Sequence, residues 1–347
     1  MSETTDTTPL LPQPVQAQDV SWLLEPAHPE DYSDNHRSQP PRDSHPIYLR
    51  ACHSSCRSID QKSLLLLRLA VTTYLTAVGG VSLKYKIDDV EDEHTPWRIL
   101  FQFSTVSFCL QWGWNILVTL WTAMHLFFPR AIEVDLDDYD GYRYRYRIYI
   151  LPYLSPPNNA RCPIRRYCFS MFYTIAHVFP FMNTMVYWGC LVPAGHGGFK
   201  PPHMPHSHTE LPYRNHPTAR YPNKGFSELE PVDAFSIINV WTITSIIALI
   251  EIGFFNCIRR QTPVTTHLAG AVCCSGAYLC WAGLGKLLTG HSGLFFLDPD
   301  IMVGMPEAIL AACVTFIAIS LGVFSFMYGL IAMRETITAI PTSSRSW

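Results

Sequence analysis

Six apolar runs constrain this chain more than any other feature: about 63–83, 98–128, 167–192, 234–257, 266–288 and 305–333. A bilayer core is crossed by about 20 residues of apolar helix, and a soluble domain has no use for six such segments. The pattern predicts an all-α fold, a polytopic membrane bundle of six transmembrane helices over 63–333. Charge agrees: the chain is 48% hydrophobic and 15% charged, with a net charge of −3, which gives no global pull toward nucleic acid.

Polarity is concentrated between the runs. Residues 1–60 are polar and proline-rich and predict a disordered cytosolic tail; 334–347 predict a short second one. No apolar core near the N-terminus reads as a cleavable signal, so the first span is expected to direct insertion. Orientation follows from Lys and Arg in the loops. If the tail is cytosolic, the inner segments hold 16 of these residues and the outer ones 8, Arg68 lying inside the first span. The 129–166 loop alone contributes Arg130, Arg143, Arg145, Arg147, Arg161, Arg165 and Arg166. Both termini are therefore expected in the cytosol, on an endomembrane or the plasma membrane. In the tail, Asp6 followed by Leu10 and Leu11 fits a dileucine sorting signal for adaptor proteins, compatible with an endosome or vacuole.

The 193–233 loop carries eight prolines and five histidines, His196, His203, His206, His208 and His216, and is expected on the lumenal side. The prolines hold that chain open, and no cysteine or carboxylate cluster completes a shell, so no metal is expected there. No cofactor fingerprint occurs anywhere. Most of the 11 cysteines lie within spans, where a thiol acts as a small apolar residue. Cys52, Cys56, Cys162 and Cys168 lie near the cytosolic face and are expected as free thiols, with S-acylation as the alternative.

The spans carry polar side chains that need partners in hydrocarbon: Arg68, Gln102, Gln111, Asn115, His177, Asn239 and Glu251. Arg68 is expected to snorkel to the cytosolic interface. Gln102, Asn239 and Glu251 are expected to line an interior cavity. In FQFSTVSFCLQW, 101–112, Thr105 is either a helix residue bonded to its own backbone or a nucleophile awaiting a base. GHSGL at 290–294 lacks the last glycine and the strand–turn–helix setting of a nucleophile elbow.

A series of residues resembles the androgen-induced-protein family, related to the rolling-stone proteins. It consists of Trp97 and FQFST at the start of span two, Tyr187-Trp188, LIE at 249–251, Pro263, Tyr278, Trp281, Thr289-Gly290 and FFLD at 295–298. The resemblance covers about 63–333. It implies a six-span fold and, from the characterised members, a threonine hydrolase acting on fatty acid esters of hydroxy fatty acids, with Thr105 as nucleophile. The family pattern places the catalytic histidine ten residues before the acidic end of span four. Here that position is Trp241, whose indole nitrogen has no lone pair to accept a proton. His177 is the candidate replacement base, because it lies well inside a span.

Two expectations follow. The chain is a diverged relative of these lipid-ester hydrolases, with the threonine–histidine pair lost or rebuilt. Alternatively it is a non-catalytic protein that binds membrane lipids or a membrane partner, as the rolling-stone resemblance implies, with Trp241 in a cavity wall. A small transporter ranks below both, since neither an inverted repeat nor a broken-helix pair is visible.

Overall fold

The computed structural model describes residues 47–56, 58–88, 96–127, 163–193, 231–290, 293–294 and 306–339. The chain divides into two units, Met1–Ser44 and His45–Trp347, and all described residues belong to the second. Asp6, Leu10 and Leu11, most of the 129–166 loop, residues 194–230 of the His-rich loop and the FFLD run at 295–298 lie outside the described residues.

The described residues are helical, with no strand among them. A short helix α1, Ile47–Cys52, precedes α2, Gln61–Asp88. A 3-10 turn at Pro96–Phe101 leads into α3, Phe103–Phe127. Helix α4, Pro163–Val186, widens into a π-turn at Tyr187–Leu191. Helix α5 covers 231–255 as alternating α and π segments, with wide turns at Asn239–Ile243 and Glu251–Phe255. Helices α6, Val264–Thr289, and α7, Pro306–Ala339, complete the unit.

The six long helices fall on the six apolar runs. Four of them are long and apolar enough to cross a membrane: Gln61–Lys84, Ala234–Phe255, Val264–Thr289 and Pro306–Thr338. Helices α3 and α4 are not among these four; their buried polar residues include Ser107, Gln111, Asn115, Ser170, Thr174 and Asn183.

Side-chain contacts fix an up–down order. Arg68 near the start of α2 meets Thr122 near the end of α3, and Trp112 meets Thr76 toward the other end. Helix α4 runs antiparallel to α3, with Trp121 on Phe169 at one end and Phe103 on Phe179 at the other. Pro180 and Thr184 of α4 meet Ser245 and Trp241 of α5. Tyr278 of α6 packs against Phe316 of α7, while Arg334 returns to Asn256 at the end of α5. Helix α1 and the last turn of α7 therefore lie at the same end of the bundle.

The tail expected over 1–60 is structured from residue 47. Tyr48, Ala51 and Cys52 are buried, and Tyr48 packs edge-on to Trp121 and against Phe169. The reason is compositional: IYLRAC buries Ile47 and Tyr48, two large apolar side chains that close the end of the bundle.

At the other end, Tyr278 donates to the Phe101 carbonyl at 2.9 Å and Trp281 to the Leu100 carbonyl at 3.1 Å. These two anchors tie the 3-10 turn to α6 and so set where α3 begins. Close approach requires glycine twice. A Cβ on Gly293 would stand 1.8 Å from the Phe101 carbonyl oxygen, and one on Gly285 would stand 2.5 Å from the Phe101 ring. Gly290 ends α6 with φ 74, its N–H bonded to the Lys286 carbonyl at 3.0 Å.

Candidate functional site

Thr105 and Glu251, both singled out from sequence, lie in two separate places in the bundle. The first is a groove of about 340 Å³ between α2 and α3. Leu75, Gly79, Leu83, Ile99, Phe108 and Val240 form much of its wall, and Thr76, Ser82 and Thr105 contribute hydroxyls. Leu83 is 50% exposed at its rim, so the groove opens sideways between the helices. Thr105, Cys109 and Trp112 reach it from one face of α3, as the spacing i, i+4, i+7 dictates. Gly80 leaves room: a Cβ there would meet nothing within 4 Å.

Among the described residues that line this groove, none is a histidine or a carboxylate. His177 stands elsewhere. Its ring packs 5.5 Å from Trp114 and 4.5 Å from Tyr173, with 1% exposure. Its Nδ1 lies 2.7 Å from the Tyr173 carbonyl. A carbonyl only accepts, so Nδ1 carries the proton. Trp114 follows Thr105 by nine residues, about 13 Å along the helix and about half a turn round it. The structure thus puts Thr105 and His177 against different faces and different levels of α3.

Trp241 is also outside the groove; its neighbour Val240 forms the wall. Trp241 stacks on Tyr187 at 4.7 Å with the planes 28° apart. Both rings sit in π-turns, Tyr187–Leu191 and Asn239–Ile243, that face each other. Asn183 donates to the Val240 carbonyl at 3.0 Å and Thr184 donates to the Trp241 carbonyl, so α4 satisfies backbone groups of the wide turn.

The residues expected round one cavity are dispersed. The Gln102 carbonyl accepts from the N–H groups of Thr105 and Val106 at 3.1 and 3.0 Å, which caps the start of α3. Asn239 accepts from the Tyr74 hydroxyl and donates to the Phe235 carbonyl at 2.7 Å.

Glu251 belongs to the second place, a buried polar cluster at the α1 end. Arg68 does not snorkel. It is 0% exposed and lies 3.3 Å from Glu251, itself 1% exposed. Arg68 also donates to the carbonyls of Ala51 at 2.7 Å, Phe255 at 2.6 Å and Val118 at 3.3 Å. Trp114 donates to the same Glu251 oxygen at 3.4 Å. The second arginine, Arg334, donates to Ile252 at 2.7 Å and Asn256 at 2.9 Å. Ser55 and Ser54 take the Gly253 and Phe254 carbonyls, each at 2.7 Å. Every carbonyl from Glu251 to Asn256 therefore has a donor, the Glu251 one from Asn256 at 2.8 Å. This is what the end of a helix in an apolar medium demands.

Neither a protein-family model, nor a curated protein, nor a solved structure matches the chain. What the protein can do chemically is set by its own residues.

That chemistry is limited. Among the described residues, no group of three or more His, Cys, Asp or Glu side chains is placed to hold a metal ion. Sequence reasoning missed Trp114, the fully buried side chain that joins His177 and Glu251. The available signal was its place on α3 three residues after Gln111, on the polar face that turns inward.

Proposed function

We propose that this protein is a six-span membrane protein that binds a lipid acyl chain in the groove between α2 and α3 and catalyses no reaction there. One observation carries the proposal. The groove is walled by apolar side chains, opens laterally between helices, and offers hydroxyls with no imidazole or carboxylate among its described lining residues. An alcohol needs a base to become a nucleophile, and general acid–base help is worth about 10²–10⁴ in rate. A chain of methylenes needs only apolar surface, at roughly 25 cal/mol per Å² buried.

The occupant follows from the setting. The groove lies along α2, one of the helices long and apolar enough to span a bilayer, so hydrocarbon chains are its immediate solvent. The up–down order of six helices supports six spans, with α1 and the end of α7 on one side. The excess of Lys and Arg in the segments at that side favours the cytosol. The sequence resemblance to the androgen-induced and rolling-stone proteins fits a lipid-handling protein, with Thr105 on the groove wall.

The test uses the full chain in membranes containing a lipid with a photoactivatable acyl chain. Gly80→Phe fills open space in the groove and replaces a helix-interior glycine, which favours the helix by up to about 1 kcal/mol. We expect crosslinking in the wild type and in Thr105→Ala, and loss in Gly80→Phe. Equal crosslinking in Gly80→Phe would sink the groove as the binding site. Labelling of the wild type by a probe for activated hydroxyls, abolished in Thr105→Ala, would restore the hydrolase.

A further inference from the structure

The α5–α6 connector carries a second hollow, at the α1 end of the bundle and away from the groove. It measures about 250 Å³ and is lined by Arg259, Arg260, Thr262, Val264, Tyr328 and Glu335. We propose that this hollow binds a phosphate group, that of an anionic lipid headgroup at the membrane face.

The connector is held firmly on both sides of the arginines. Arg334 donates to the Ile258 carbonyl just before them, and the Tyr328 hydroxyl donates to the Gln261 carbonyl just after them. Arg259 and Arg260 thus project from a backbone pinned to α7 at both flanks, so little chain entropy is lost when an anion binds. Arg260 gives only one edge to Glu335: its Nε and its backbone N–H each donate at 2.8 Å. Its two Nη groups stay outside that pair. A guanidinium fork matches phosphate oxygens in pairs, which an ammonium cannot do. Thr262 adds a hydroxyl, and Val264 with the Tyr328 ring makes the apolar side.

Position selects the source. The hollow lies where the connector after α5 meets the first residue of α6 and the last few turns of α7, and all three helices are apolar and long enough to span a bilayer. A basic hollow between such helix ends stands at headgroup depth, and the cytosolic leaflet is the anionic one.

Glu335 makes the proposal testable by sign. As a structural latch, the Arg260–Glu335 pair loses equally from either side. As part of an anion site, Arg260 attracts the ligand and Glu335 repels it. The experiment places the full chain in bilayer discs of phosphatidylcholine alone, or with about one lipid in five replaced by phosphatidylserine. The thermal midpoint and the anionic lipid retained are measured. A detergent-solubilised sample receives inorganic phosphate instead.

We expect phosphatidylserine to raise the midpoint of the wild type. Arg259→Gln and Arg260→Gln each weaken retention about fivefold, the worth of one basic residue near an anionic surface, and Glu335→Gln strengthens it. Arg259→Lys restores part of the effect, which rules out loss of folding. Three outcomes overturn the proposal: no response of the wild type to phosphatidylserine, a weaker response in Glu335→Gln, or a response to inorganic phosphate without one to the lipid. The last would assign the hollow to free phosphate.

Discussion

Arg68 and Glu251, 183 residues apart in sequence, meet at 3.3 Å inside the bundle, and the same arginine donates to the carbonyls that end α1 and α5. The pair therefore does more than neutralise charge. Arg68 supplies the hydrogen bonds that let two helices stop inside an apolar environment. Truncating either partner of a buried pair costs about 3–5 kcal/mol because the other is left uncompensated. Arg68→Met also strips the Ala51 and Phe255 carbonyls, so it should be the worse change. Glu251→Gln keeps those bonds and keeps an acceptor for Trp114. In detergent, the midpoint of Arg68→Met should fall well below that of Glu251→Gln, and proteolysis should open the chain near α1 first. A Glu251→Gln variant less stable than Arg68→Met would reverse this account.

Trp241→His restores the residue type that the family pattern asks for and should restore no activity. Position 241 faces Tyr187 in a pair of π-turns, and Val240 is the residue that reaches the groove of Thr105. A histidine there would replace a stacked ring and still miss the threonine. Labelling by a probe for activated hydroxyls should be as absent in Trp241→His as in the wild type. Labelling that appears in Trp241→His and vanishes with Thr105→Ala would mean that the wide turn re-aims the side chain in the membrane.

The helices were legible because apolar runs of spanning length have no other use in a chain this poor in charge. The pairings between them were not. Nothing local to Arg68 shows that IYLRAC folds back over it, so snorkelling was the natural expectation for a lone arginine. The count of ten residues from Glu251 to Trp241 names a position and not a direction. The wide turn at Asn239–Ile243 sets where that ring lies, stacked on Tyr187. Thr105 stands out in the sequence only by its chemistry; that it shares a groove with Cys109 and Trp112 depends on how α2 packs on α3. The place of His177 was not legible either, because packing against Trp114 depends on which face of α3 meets α4.

Gly293 should tolerate no side chain, whereas Gly80 should accept one. Alanine at 293 would drive a Cβ to 1.8 Å from a backbone oxygen, where neither atom can rotate away. Overpacking of this kind costs about 1–3 kcal/mol or more, and here it would push the 3-10 turn off Tyr278 and Trp281. Gly80→Ala meets nothing within 4 Å and replaces glycine inside a helix, so it should raise stability slightly. Thermal midpoints of the two variants should fall on opposite sides of the wild type. A Gly293→Ala protein as stable as the wild type would mean that the Phe101 turn is free to move.

Cys52 reports on the docking of α1. Its thiol is 0% exposed, and burial pushes its pKa up to about 12 against a smaller opposing pull from Arg68. Only a thiolate alkylates readily, so Cys52 should resist a maleimide at neutral pH while exposed Cys168 reacts. The sign of the pH effect follows from the raised value. The neutral thiol is favoured in the docked state, so this contribution is complete below the ordinary thiol pKa of 9.0 and is lost as pH rises toward 12. Undocking of α1 should therefore become easier in mild alkali, and Cys52 labelling should climb with pH. Tyr48→Ala, which removes the ring packed on Trp121 and Phe169, should bring that climb to lower pH. Cys52 and Cys168 labelling in parallel at neutral pH would show that α1 is not held against the bundle.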